Sequence, residues 1–309
     1  MPEHRLTLSD GADILLRRCG NPDGPRLLVS HGTGFAIDGF VRMWRPLAKT
    51  CDLVLFDLRG HGRNGPVAPE TVDGPRLTRD MAEIVAGVSE AFGVRPAFGL
   101  FHSIAALMAL RLESQQPGRF AGLVLIEPPA TPPEDDPRFA AFEAGRLALA
   151  TRSAKRQERF ASVAELAEKF SARGPFRFFE PGAAQELAAA MLVADGNGWK
   201  LACPPAVEAR YFGRNLDDGL RDRLAQVACP VLMLVGREDL AHDGTPACIA
   251  VDLARLGGFD LLELARATHM LPLERPGAIA EQTLAFLRQE QITFRRNRFA
   301  MPPEGVNLL

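Results

Sequence analysis

The sequence predicts an α/β fold: a mostly parallel sheet of eight strands, covered by helices on both faces, with an inserted helical cap. Three observations predict it. Short apolar runs, rich in Leu and Val and nearly free of alternation, recur along the chain, and such runs suit strands buried on both faces. Between them lie stretches whose apolar residues fall on one helical stripe. One long proline-opened stretch breaks this rhythm with helix patterns alone.

The elements follow in order. Arg5 to Leu8 and Ala12 to Arg17 alternate apolar and polar residues about Ser9-Asp10-Gly11, the signature of an antiparallel hairpin. After Gly24-Pro25 come the continuous runs Arg26 to Ser30, Cys51 to Phe56, Pro96 to Phe101, Gly122 to Ile126, Pro230 to Val235 and Asp260 to Leu264, which with the hairpin make eight strands. Leu77, Met81, Ile84, Val85, Val88 and Phe92 form one helical stripe stopped by Gly93. Pro276 to Arg288 repeats the pattern, with a proline in the first turn and Ile279, Leu284 and Leu287 on one side. Strands alternating with such helices imply a parallel, doubly covered sheet whose active site lies at the carboxyl ends of its strands. From Thr131 to Val227 the chain opens with Pro132, Pro133 and Pro137 and continues as helix patterns without strands, including a capping box at Ser162 and Glu165. The expected organisation is therefore a core of residues 1–130 and 228–290, a helical insertion of residues 131–227 rich in phenylalanine, and a tail of residues 291–309 carrying Arg295, Arg296 and Arg298.

Composition narrows the function classes. A chain of 309 residues with 47% apolar side chains buries a large core, and its 36 basic and 38 acidic residues leave no net field to hold nucleic acid or an anionic membrane. A small-molecule substrate is expected instead. No stretch has the character of a signal peptide or a membrane span, which predicts a cytoplasmic protein. Cys19, Cys51, Cys203, Cys229 and Cys248 stand singly, without the paired spacings of zinc or redox sites. They read as packing residues, and neither a metal nor an organic cofactor is expected.

Residues able to do chemistry gather at strand ends. Ser103 follows the run ending at Phe101 and precedes an apolar helix, so its hydroxyl sits on a strand-to-helix turn, with the Ile104 amide and the helix N-terminus facing any oxyanion formed there. The surrounding pattern departs from G-x-S-x-G, because Phe101 and Ala105 take the two glycine positions. The competing reading of Ser103 is a helix N-cap. Past the strand ending at Val235, the turn Gly236-Arg237-Glu238-Asp239 offers a carboxylate. Asp239 is preferred over Glu238 and over Glu127, which stands at the end of the preceding strand. Of the six histidines, His269, on the loop after Leu264, is free to reach Ser103. A serine hydroxyl needs a base to take its proton, and the imidazole needs a carboxylate to fix its tautomer. In His31-Gly32-Thr33-Gly34-Phe35 the glycines let the backbone approach a bound acyl group, which makes the Thr33 amide the second oxyanion donor, with Gly34 as fallback. A dinucleotide fingerprint fails on Ile37, where its third glycine belongs.

Together with Asp57-Leu58-Arg59-Gly60-His61-Gly62 and the segment from His269 to Pro276, these motifs resemble the α/β-hydrolase superfamily of esterases, lipases and related enzymes over nearly the whole chain. Glu127-Pro128-Pro129 and the stretch from Leu201 to Glu208 are similar to a bacterial and fungal branch of it. The chain order Ser103, Asp239, His269 is the order of that fold. The resemblance implies a capped serine hydrolase that works through an acyl-enzyme on carboxylic esters or lactones with an apolar part. It also implies that the turn holding Asp57, Arg59 and His61 is structural. Other members split carbon–carbon, thioester or peptide bonds or act as perhydrolases, and a ligand receptor with an elbow spoiled by Phe101 is the reading outside catalysis.

Overall fold

A computed structural model describes residues 1–171, 176–213, 219–242 and 244–299. The chain opens with the hairpin of β1 (Glu3–Thr7) and β2 (Asp13–Gly20), in which Leu6 faces Ile14. Gly11 closes the turn at a φ of 86°, a region open to glycine. β3 (Arg26–Ser30), a short α1 (Val41–Trp44), β4 (Asp52–Leu55) and α2 (Gly74–Phe92) follow. The sharp ends of α2 come from Asp73, whose carboxylate accepts the Arg76 amide, and from Gly93 at a φ of 85°. Next are β5 (Ala97–His102), α3 (Ile104–Gln115) and β6 (Gly122–Ile126).

The stretch between β6 and the next strand of the large sheet holds α4 (Phe139–Ala154), β7 (Arg159–Phe160), α5 (Val163–Ser171), α6 (Ala183–Met191), β8 (Leu192–Asp195), β9 (Gly198–Leu201) and α7 (Pro205–Gly213). The expectation of helices without strands is corrected here. β7, β9 and β8 form a small antiparallel sheet, and β8 pairs with β9 across a turn of Gly196 and Asn197. Asp195-Gly196-Asn197-Gly198 is a hairpin signal of the usual kind, and it was legible in the sequence. The core resumes with β10 (Val231–Gly236), α8 (Pro246–Gly257), β11 (Asp260–Leu264), the short α9 (Leu271–Glu274) and α10 (Pro276–Phe299). With neither glycine nor proline between Arg288 and Ala300, α10 runs past the expected boundary of the tail. The side chains of Arg295, Arg296 and Arg298, and all of residues 300–309, lie outside the described residues.

The large sheet has eight strands in the order β1-β2-β4-β3-β5-β6-β10-β11. β1, β2 and β4 pair antiparallel and the remaining pairs are parallel. Alternate residues of one strand feed separate cores. Leu28 and Val54 pack with α2 and α3, while Leu27, Val29, Leu53 and Leu55 pack with Phe40, Trp44 and α10. Burial on both faces is why these strands read as continuous apolar runs. The carboxyl ends of β3, β5, β6, β10 and β11 then share one edge of the sheet.

Candidate active site

Ser103 occupies the turn between β5 and α3 with φ 55° and ψ −121°, a strained conformation for a residue with a side chain. Its amide donates to the Ile126 carbonyl at 2.8 Å, which ties the turn to the neighbouring strand. The ring of Phe101 finds room because of Gly99, two residues earlier on the same face of β5. A Cβ on Gly99 would lie 2.3 Å from the Phe101 ring. The ring fills that space and meets Phe56 and Phe120 edge-on, with centroids 6.1 and 5.8 Å away. The glycine expected at the elbow has in effect moved down the strand, and the turn keeps its shape.

His269 lies over this turn. Its Nε2 is 3.0 Å from Ser103 Oγ, and its Nδ1 is 2.7 Å from Glu127 Oε2. Glu127 is fully buried at the end of β6 with a φ of 43°, and its other oxygen accepts the Gly236 amide at 2.7 Å. The preference for Asp239 as partner of the imidazole is therefore corrected. Asp239 instead accepts the backbone amide of His269 at 2.8 Å, and Glu238 accepts that of Arg266 at 3.1 Å. The reason is the strand order. β6 lies beside β5, so a carboxylate one residue past β6 stands nearer to Ser103 than one carried on the short helical turn after β10.

The loop carrying His269 is held by acids. Besides Glu238 and Asp239, Glu274 takes both the amide and the hydroxyl of Thr268, at 2.6 and 2.9 Å. Burial, reinforced by the nearby Asp239 and Glu127 carboxylates, raises the pKa of Glu274 against those hydrogen bonds. His102 secures the same loop from below, its Nε2 2.8 Å from the His269 carbonyl. Burial first, and the facing His269 second, push its pKa well below the usual imidazole value. It is thus neutral, with its proton on the nitrogen that faces the carbonyl. Its grip on a loop 167 residues away was not legible in the sequence.

The glycine loop after β3 closes the other side. A Cβ on Gly32 would stand 2.9 Å from Ser103 Cβ, so only glycine permits this approach. Gly34 has a φ of 81°, and its amide donates to His61 Nε2 at 2.9 Å. Phe35 donates its amide to the Gly32 carbonyl at 3.3 Å. Gly34, the fallback oxyanion donor, is thus engaged elsewhere. The Ile104 amide opens α3, where no carbonyl one turn back is available to it. From the insertion, α7 presses on the loop. A Cβ on Gly34 would meet the buried Glu208 carboxylate at 2.9 Å, which itself accepts from Ser153 at 3.0 Å and Arg156 at 2.5 Å.

With this geometry in view, a family model described as "Alpha/beta hydrolase family" matches residues 27–282. The chain belongs to the α/β-hydrolase family. It is a hydrolase of that superfamily, and its mostly parallel sheet is the α/β-hydrolase fold. Human monoglyceride lipase is 31% identical over 127 residues, which is 40% of this chain and 42% of that enzyme. The match to it thus spans less than half of the lipase. A non-heme chloroperoxidase from Streptomyces lividans is 28% identical over 248 residues, 76% of this chain and 81% of that protein. Among solved structures, E-2-(acetamidomethylene)succinate hydrolase superposes with a TM-score of 0.75 at 18% identity, covering 93% of this chain and 99% of that one. At that identity the likeness is one of α/β-hydrolase fold alone. No helix among the described residues is long and apolar enough to cross a membrane.

Proposed function

We propose that this α/β-hydrolase is a serine hydrolase that cleaves carboxylic esters or lactones with an apolar part through an acyl-enzyme on Ser103, His269 and Glu127. The reading rests on one observation, the unbroken hydrogen-bond chain from Ser103 Oγ through His269 to Glu127. A carboxylate at Nδ1 keeps the imidazole proton on that nitrogen, so Nε2 is free to take the serine proton. Oγ then bonds to the substrate carbonyl carbon, and the amides of Thr33 and Ile104 receive the resulting oxyanion, aided by the N-terminus of α3. As the carbon–oxygen bond to the leaving group breaks, His269 passes its proton to the departing alkoxide. Water repeats the sequence on the acyl-enzyme, with His269 as base and Ser103 as leaving group.

The choice of an ester draws support from the lipase relative and from half-buried Phe35, whose ring stands 6.5 Å from that of His102. The insertion serves as the cap, since α7 reaches the glycine loop. A non-catalytic receptor rested on a spoiled elbow, and Gly99 removes that objection. A fluorophosphonate probe is expected to label the wild type once and the folded Ser103→Ala variant not at all, with turnover of a short activated ester lost in parallel. Labelling that persists in the variant would refute the assignment.

A further inference from the structure

We propose that His61 is a positioning residue for the oxyanion site, acting through the Gly34 amide. The inference rests on the serine-hydrolase reading and concerns a residue that the resemblance places in a purely structural turn. Four observations carry it. His61 is completely buried. Its Nε2 accepts the Gly34 amide at 2.9 Å, while its Nδ1 stands 2.9 Å from the Arg59 carbonyl. The Arg59 carbonyl also accepts the Tyr211 hydroxyl of α7 at 3.2 Å, and the Tyr211 ring meets the imidazole edge-on at 5.0 Å. The turn beneath is rigid, because the Arg59 guanidinium bonds Asp80 at 2.5 and 2.7 Å and Asp10 at 2.9 Å.

The glycine loop after β3 has little stiffness of its own. Gly32 and Gly34 flank Thr33, and both can rotate freely about their backbone bonds. A tilt of the peptide between Thr33 and Gly34 carries the Thr33 amide with it. An oxyanion donor displaced by a fraction of an ångström loses much of its effect, because it must meet the oxygen of the transition state. Two anchors oppose this tilt: the Phe35 amide on the Gly32 carbonyl, and the Gly34 amide on His61. The second requires an unprotonated Nε2. Burial, followed by the neighbouring His31, lowers the His61 pKa to about 3, so the acceptor is present at neutral pH. The Arg59 carbonyl fixes the proton on Nδ1, and α7 of the insertion holds the ring edge.

Two near-isosteric variants separate the roles of the two nitrogens. His61→Gln puts an acceptor oxygen where Nε2 stood, and His61→Asn keeps a donor near Nδ1 but offers Gly34 nothing. We expect His61→Asn to lower kcat for an activated ester by about tenfold to a hundredfold with KM unchanged, because the lost contact acts only in the transition state. Its affinity for an alkyl boronic acid, which forms a tetrahedral adduct on Ser103, falls in parallel. His61→Gln retains kcat within about threefold. Equal kcat in His61→Asn and wild type, or equal losses in both variants at matched thermal stability, overturns the proposal. Should His61→Asn fail to fold, Tyr211→Phe decides, since it removes the hydroxyl and leaves the imidazole. A fall in kcat of about threefold at constant KM supports the proposal, and wild-type kcat overturns it. Wild-type protein that neither takes a fluorophosphonate label nor turns over an ester would instead defeat the underlying reading.

Discussion

Glu127 divides its two oxygens between His269 Nδ1 and the Gly236 amide, which makes its amide variant an informative test of the proposed function. In Glu127→Gln the Oε1 atom can keep the Gly236 amide, which leaves the amide NH2 facing Nδ1. The imidazole then has to accept there and carry its proton on Nε2, against Ser103. We expect kcat to fall on the order of a thousandfold or more with KM little changed and the melting temperature close to wild type. Asp239→Asn retains an acceptor for the His269 amide, so its loss stays within about tenfold. Steady-state kinetics on one activated ester, beside thermal melts, check both. The opposite ranking of the two variants would return the acid to the turn after β10. The sequence placed three carboxylates within reach of His269. Which one meets the imidazole depended on strand order, a property no local spacing contains.

At the scale of the element, β5 shows how one strand carries two demands. It is buried on both faces, and it must deliver Ser103 into a strained turn. The Phe101 ring occupies the space that Gly99 leaves on that face, which the pattern around Ser103 alone did not reveal. A methyl group on Gly99 has no space, since the Phe101 ring stands in it. Gly99→Ala is expected to cost about 1–3 kcal/mol of stability by overpacking. Adding Phe101→Leu restores part of it, and the coupling is read as non-additivity in a double-mutant cycle of denaturant melts. Additive effects would mean that the two positions do not share this space.

For the whole molecule, two buried neutral histidines make stability depend on pH. His61 has a folded pKa lowered to about 3 and His102 one well below the usual value. An imidazole in the unfolded chain takes its proton near pH 6.5. Below that pH the unfolded state binds protons that the folded state refuses, so stability falls as pH drops. For His61 the loss accumulates from about pH 6.5 down to about 3. Each such group contributes a slope of up to about 1.4 kcal/mol per pH unit. Urea melts from pH 7 to pH 4 should show His61→Gln declining less steeply than wild type. Parallel declines would place the acid sensitivity elsewhere, on His102 or on carboxylates.

The sequence by itself determined the α/β class, the eight strands of the large sheet, the strand-to-helix turn under Ser103 and a loop that brings His269 within reach of it. These features are written in local periodicity and in residue types that only certain turns accept. Tertiary structure alone decided that Glu127 meets the imidazole, that Asp239 and His102 pin its backbone, that Gly99 makes room for Phe101, and that His61 holds Gly34. Apart from Gly99 and Phe101, which share β5, these pairings join separate strands or loops. They follow from the order in which strands lie side by side, which the chain fixes only once its faces are buried.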